Sequence, residues 1–217
     1  MVTIMKQRIK NGNFVLLICI TTAFAVAACS TTGMQRSENV QSSMQAVDND
    51  IKQIVVQIDA INASLEELTK PGQADRKRAF DLFSENSSKI EKMEKDFTKH
   101  AEQMESSGKT YFNTWDKNNQ QYDNPDIQQR SDERREELGE TYDKIARNNE
   151  GVKEAFQTYV SDVTEIERFL SNDLTDDGMN AISRTSNRVV NNGSQLRREL
   201  QNLQGAIEDA REKMRQN

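Results

Sequence analysis

Apolar residues recur along most of the chain at alternating intervals of three and four positions. The clearest run covers four heptads without an interruption. We call the apolar positions of such a repeat, in this helix and in the others, the seam of the helix. A sustained repeat of 3.5 residues keeps one stripe of a helix facing a partner helix. The pattern predicts a long helix with its N-cap at Ser37, ended by Pro71 and Gly72. Its seam residues are Val40, Met44, Val47, Ile51, Ile54, Ile58, Ile61, Leu65 and Leu68.

Three further segments carry the same repeat and are separated by short polar turns. The second runs from about Gln73 to Gln121, the third from Pro125 to about Ser171, and the fourth from Asp176 almost to Asn217. Four long helices joined by short turns pack as antiparallel neighbours. The predicted fold class is all-α, an elongated antiparallel four-helix bundle with coiled-coil (heptad) packing. The alternative is two long hairpins that complete their core only by dimerising.

Some positions within this pattern leave local choices open. Gly108 marks a kink, a close helix approach or a helix end, because glycine costs a helix about 1 kcal/mol relative to alanine. The stretch "NNEG" at 148–151 would suit a break in the third helix, but the repeat continues through it and favours one helix. Asn124, before Pro125, and Thr175 are the expected N-caps of the third and fourth helices.

The beginning of the chain has a different character. Three basic residues precede an uncharged run from Phe14 to Ala28, and Cys29 follows the run directly. At about 15 residues the run is shorter than the roughly 20 that span a bilayer, so a signal peptide is favoured over a transmembrane helix. "VAAC" resembles the lipobox of bacterial lipoproteins, which implies cleavage before Cys29 and acylation of its thiol and new amine. The alternatives are a buried cysteine in an uncleaved anchor, or chance.

The predicted organisation follows from that resemblance. Residues 1–28 would be a cleaved lipoprotein signal peptide, 29–36 an acylated tether, and 37–217 the helical bundle. Two or more acyl chains of the palmitate kind hold a protein firmly, at about 0.8 kcal/mol per buried CH₂. Ser30 after the cysteine resembles the outer-membrane sorting pattern, so we expect a lipid anchor in the outer membrane with the bundle facing the periplasm.

Composition removes several classes of function. The formal charge of -6 and an isoelectric point near 5.1 disfavour nucleic acid as a partner, because phosphate contacts need clustered basic residues. Cys19 would leave with the signal and Cys29 would carry lipid, so the mature protein would have no disulfide. The chain lacks the GxSxG, GxGxxG and GxxxxGK[ST] motifs. We therefore expect no enzyme, no metal and no cofactor.

Individual polar side chains offer little further chemistry. The lone histidine, His100, lies on the flank of the second helix and is expected to be simply solvated. Ser87 and Glu94 interrupt the seam of that helix, and a twist of the helix would leave Glu94 half exposed. A buried carboxylate would need a partner.

One aromatic cluster stands out, formed by Tyr111, Phe112, Trp115 and Tyr122. It is either core packing or a contact patch near the end of the hairpin formed by the second and third helices. Counting helical levels predicts that this hairpin passes the start of the first helix by about 16 residues, or about 24 Å. The cluster would then lie at the lipid-anchored end.

Four stretches together resemble a family of proteobacterial envelope lipoproteins of unknown function. They are "VVQIDAINASLEELTKPGQ", "YFNTWDK", "NPDIQQRSDERREEL" and "GVKEAFQTYVSDVTEIERFLSNDLTDDGMNAI". The resemblance implies a helical, coiled-coil-rich envelope protein and transfers no catalytic residue. The expected role is structural or interactive, through an envelope protein partner or self-association. The alternative is a chaperone-like periplasmic clamp for unfolded envelope proteins.

Overall fold

The computed structural model describes residues 32–119 and 122–215, and the regular elements within those ranges are helices. The predicted all-α four-helix bundle is confirmed. At 1.5 Å per residue, the helices are about 55 to 70 Å long. They are α1 (Gly33–Thr69), α2 (Arg76–Asn119), α3 (Pro125–Leu170) and α4 (Asp176–Arg215).

Each helix packs against two neighbours, in the cyclic order α1, α2, α3, α4. Packing is most extensive within the α1–α2 and α3–α4 hairpins, and the α2–α3 and α1–α4 contacts close the ring. One hydrophobic core contains buried residues from all four helices. The core is therefore completed by a single chain, which favours the bundle over hairpins that need a second copy.

The seam positions supply that core. All nine seam residues of α1 are at most 2% exposed. On α3 the seam is closed at Leu138, which is 4% exposed, and at the buried positions that follow it. Ile127 also occupies a seam position of α3 but is 50% exposed. The uncovered part of the seam thus lies near the connection between α2 and α3.

The first helix starts earlier than the seam indicates. The Thr32 hydroxyl accepts a hydrogen bond from the Gln35 amide (3.2 Å), and the Gln35 side chain accepts one from the Thr32 amide (3.1 Å). This reciprocal pair is a capping box. The prediction of an N-cap at Ser37 is therefore wrong. The expected tether of 29–36 is also too long, because Gly33 to Arg36 already belong to α1.

The predicted N-caps of α3 and α4 are confirmed, whereas α2 begins at Arg76, three residues after the expected start near Gln73. The Asn124 side chain accepts from the amides of Asp126 and Ile127 at the start of α3. The Thr175 hydroxyl accepts from the amide of Gly178 at the start of α4. Side-chain caps of this kind satisfy amides that lack a partner in the first turn.

Helix α3 continues through 148–151, as the unbroken repeat predicted. The side-chain amide of Asn148 donates to the backbone carbonyl of Asn202 on α4 (3.1 Å), and Val152 one turn later is fully buried. The polar stretch is therefore stabilised in the helix by a hydrogen bond to α4 and by the buried residue that follows it.

Polar pairs between helices fix the alignment of the seams. Gln57 on α1 donates to both the backbone and side-chain oxygens of Asn86 on α2, at 3.1 and 3.0 Å. Asp48 is 4% exposed and accepts from Lys52 and from Gln204 of α4, each at 2.7 Å. Burial alone would raise the pKa of Asp48, but these two donors hold it below its usual value.

Replacing Ile54 by Asp should destabilise the bundle by about 4 kcal/mol or more, because an unpaired carboxylate would enter the core. Val56→Asp on the same helix is the matched control, since Val56 is 68% exposed and Ile54 is not exposed at all. The control should change stability by no more than about 0.5 kcal/mol. Thermal unfolding followed by circular dichroism gives both values. Equal melting of the two variants would contradict the assignment of the seam.

Candidate functional site

The predicted lipidation residue, Cys29, lies outside the described residues. Thr32, the N-cap of α1, follows it by three positions in the sequence. Any chain that leads from the cysteine to the bundle is therefore short, whatever its conformation.

Three of the four predicted patch residues are in contact near the C-terminal end of α2. The rings of Tyr111 and Phe112 are 5.2 Å apart, and those of Tyr111 and Trp115 are 5.6 Å apart, both edge to face. The Phe112 ring also lies 5.5 Å from that of Tyr142 on α3. Edge-to-face pairs at such distances stabilise beyond the burial of their surface. The cluster thus joins α2 to α3, and Tyr142 belongs to it although the patch predicted from the sequence did not include this residue.

Polar groups complete this junction. The Trp115 indole donates to the Ser131 hydroxyl (2.9 Å). The Arg135 guanidinium lies 4.6 Å from the centre of the Phe112 ring and forms an ion pair with Asp116 (2.8 Å). These contacts occupy the indole nitrogen and one face of the phenyl ring. They leave Tyr111, Phe112 and Trp115 half-buried.

Tyr122 has a different position from the other three. It lies in the connection between α2 and α3 and is 45% exposed. The predicted patch therefore divides into a half-buried junction on α2 and an exposed tyrosine beside the start of α3.

Of the three possibilities open for Gly108, the structure selects close helix approach. Gly108 is buried within α2, and a Cβ built on it would overlap the Tyr142 ring. The Tyr142 hydroxyl donates to the carbonyl of Met104, one turn earlier on α2. Burial raises the pKa of Tyr142 well above its usual value, so the hydroxyl remains a donor. Gly108 thus provides the notch that receives this tyrosine.

His100 is paired, so the expectation that it is simply solvated is wrong. Its Nδ1 lies 2.6 Å from a carboxylate oxygen of Asp50 on α1. The side chains are 34% and 17% exposed, so the contact is partly shielded from water. The histidine joins α1 to α2 on the flank of the bundle.

The two polar residues that interrupt the α2 seam, Ser87 and Glu94, differ in burial. Ser87 is fully buried, and its hydroxyl donates to Glu167 of α3 (2.8 Å). Ser84 donates to the other oxygen of the same carboxylate (2.5 Å). Glu94 is half-buried, as expected, and this burial raises its pKa. Sequence periodicity marked the exceptions but could not supply the partner on α3.

Several cavities on the described surface are open grooves between neighbouring helices. One of about 400 Å³ lies between α3 and α4 and includes Phe169 and Ala181. Another of about 780 Å³ lies between α1 and α4, where Asp48, Lys52 and Arg211 line it. Within the described ranges, no cluster of His, Cys, Asp and Glu has the arrangement of a metal site. Over the same ranges, no helix is sufficiently long and apolar to cross a membrane.

Comparison with protein-family models, with curated proteins and with solved structures found no significant match. The class that the structure defines is an all-α four-helix bundle. The resemblance to envelope lipoproteins remains a prediction from the sequence.

Gly108→Ala should lower the free energy of unfolding, because the new methyl group would collide with the Tyr142 ring. Gly205→Ala is the matched control, since no atom outside its own helix lies within 4 Å of a Cβ there. The control should gain up to about 1 kcal/mol, as expected for alanine in an open helix position. Chemical denaturation compares the two. Tyr142→Leu combined with Gly108→Ala should recover part of the loss, and a stabilised Gly108→Ala would contradict the close approach.

Stability should fall as the pH rises above about 10. Burial raises the pKa of Tyr142 and of Tyr159, whereas tyrosines in the unfolded chain ionise near 10. Above about pH 10 the unfolded chain has released tyrosine protons that the folded state still retains. The free energy of unfolding therefore decreases as the pH rises. Urea unfolding of the wild type and of the Tyr142→Phe, Tyr159→Phe double variant would measure the difference.

The double variant should lose less stability over this range, while the exposed control Tyr122→Phe should follow the wild type. Identical slopes for the double variant and the wild type would contradict the assigned burial.

Proposed function

We propose that this protein is a non-enzymatic, lipid-anchored component of the bacterial envelope that acts by binding or spacing through its helical bundle. The observation that carries the proposal is the uncharged run that ends at Cys29, followed only three residues later by the cap of a stable helix. A cleaved and acylated cysteine at this place would fix one end of the bundle to a membrane. Ser30 supports the outer membrane, with the bundle in the periplasm.

The packing of the bundle supports a role in binding or spacing. Most seam positions of the four helices are used by the core, and the cavities described above are grooves on the outside. A clamp for unfolded proteins would need an apolar opening between helices. The closed seam therefore favours the spacing role over the chaperone-like alternative. The partner would be another envelope protein or a second copy of the chain.

The described polar groups also support this reading of the surface. His100, which would be the first candidate for acid–base chemistry, is held on the flank of the bundle by Asp50. Glu167 is held by two serines in the α2–α3 interface. Both arrangements connect helices.

Replacing Cys29 by Ser should release the protein from membranes or leave it as an unprocessed precursor, because the acylated thiol would be lost. Cys19→Ser is the matched control, since this residue would leave with the signal peptide. Membrane fractionation together with labelling by a radioactive fatty acid measures the effect. A Cys29→Ser variant that is labelled and fractionates like the wild type would overturn the proposal.

A further inference from the structure

The end of the α2–α3 hairpin extends beyond the other two helices. Helix α2 has 44 residues against 37 in α1, and α3 has 46 against 40 in α4. A difference of six or seven residues corresponds to about 10 Å of helix. The expected overhang of about 16 residues was too large, because α1 begins before Ser37 and α2 begins at Arg76, after the expected start near Gln73.

Contacts at this end of the bundle show where α1 and α4 end relative to the longer helices α2 and α3. Tyr111 lies close enough to Arg36 of α1 and Arg134 of α3 for both charges to lower the pKa of its phenol, although burial raises that pKa overall. Arg134 also donates to the carbonyl of Lys213, near the end of α4. Helix α1 begins three residues before Arg36, and α4 continues two residues after Lys213. Residues of α2 after about Thr114 and residues of α3 before about Asp132 therefore lie past the ends of α1 and α4.

The overhang retains apolar residues that are only partly buried. Trp115 and Ile127 continue the seams of α2 and α3, yet Trp115 is only half-buried and Ile127 is 50% exposed. Tyr122, in the connection, is 45% exposed. We call these three residues the hairpin tip. Seam positions of the same helices that lie farther from the hairpin tip, such as Met104 and Ile145, are 1% exposed.

Chain length indicates what would cover the hairpin tip. If Cys29 is acylated, the chain from it to Thr32 reaches at most about 11 Å, at 3.3–3.6 Å per residue. This reach equals the overhang of about 10 Å. A bundle that stands on the membrane by this link therefore brings the hairpin tip to the level of the lipid headgroups. Tyrosine and tryptophan are enriched at that level in membrane proteins.

The charges near the tip select the type of lipid. The described residues 113–119 and 122–133 contain five acidic side chains and two basic ones. An anionic bilayer would repel such a surface, because juxtamembrane attraction to anionic lipid requires an excess of lysine and arginine. A zwitterionic bilayer does not oppose it.

We propose that the hairpin tip is a membrane-contacting surface whose Trp115, Tyr122 and Ile127 side chains rest among the headgroups of a zwitterionic phospholipid bilayer. This inference rests on the lipid anchor of the proposed function. It adds a second attachment point beside Cys29, which would hold the bundle upright.

Trp115 tests the proposal directly, because it is the only tryptophan in the chain. The full chain would be produced in bacteria, purified from membranes in detergent and reconstituted into phosphatidylcholine vesicles. One set of vesicles would carry bromine atoms on the upper part of the acyl chains, where they quench nearby indoles. We expect a loss of Trp115 emission in brominated vesicles and a shift of its maximum to shorter wavelength relative to detergent.

Ile127→Asp should diminish this loss, because a carboxylate would be drawn out of the headgroup region. Val56→Asp is the matched control, since Val56 is 68% exposed and lies on α1, away from the hairpin tip. It should be quenched like the wild type. Circular dichroism of both variants checks that the bundle is intact.

Flotation of the same vesicles separates the possible failures. Protein that floats with the vesicles but shows no quenching would overturn the membrane-contacting tip and leave the lipid anchor in place. Protein that does not float would overturn the proposed anchor and the tip with it. Quenching that is equal in the Ile127→Asp variant, or a dimer that this substitution disrupts, would also overturn the inference and would favour a second copy as the partner of the tip.

Discussion

The burial of one narrow apolar stripe from each of four helices is the interaction on which the rest of this structure depends. Isolated helices gain little from propensity alone, and most of their stability in proteins comes from packing an amphipathic face. Here the stripe of α1 is wholly buried, while positions outside it, such as Val56, face solvent. Because the stripe is buried in the core, polar pairs such as Gln57 with Asn86 determine how the helices align with each other along the bundle.

Two tyrosines of α3 show how the same constraint fixes the distances between helices. Tyr142 enters a notch at Gly108 on α2, and Tyr159 lies against Gly193 on α4, where an added Cβ would be 3.0 Å from its ring. The Tyr142 ring occupies the space that a side chain at position 108 would fill, and the Tyr159 ring leaves only a tight fit for a methyl group at position 193. The glycines that weaken the helix locally thus permit the large buried side chains of the neighbouring helix.

The number, order and approximate ends of the helices could be predicted because each depends on local patterns of apolar spacing and capping residues. The start of α1 could not, because its first turn has no buried seam residue and Met34 is 73% exposed. The Thr-x-x-Gln spacing of the capping box was the available signal. The contact between His100 and Asp50 spans 50 positions, and periodicity assigns a residue to a flank without naming its partner. The aromatic residues of α2 stand close together in the sequence, but Tyr142 lies on α3, and periodicity does not show which side chains of two helices meet.

The early start of α1 also changes how an acylated N-terminus would act on the bundle. The expected tether of residues 29–36 would let a helical rod tilt freely, whereas the short link from Cys29 to Thr32 allows little separation between the lipid and the first turn. With so short a link, steric contact between the membrane and the longer α2–α3 hairpin would restrict the tilt. The opposite end, where the α1–α2 and α3–α4 turns lie, would then be held at a distance set by helix length, about 55 to 70 Å. A rod of fixed length and restricted tilt is suited to spacing, because its reach depends on the rigidity of the bundle and on the shortness of its link.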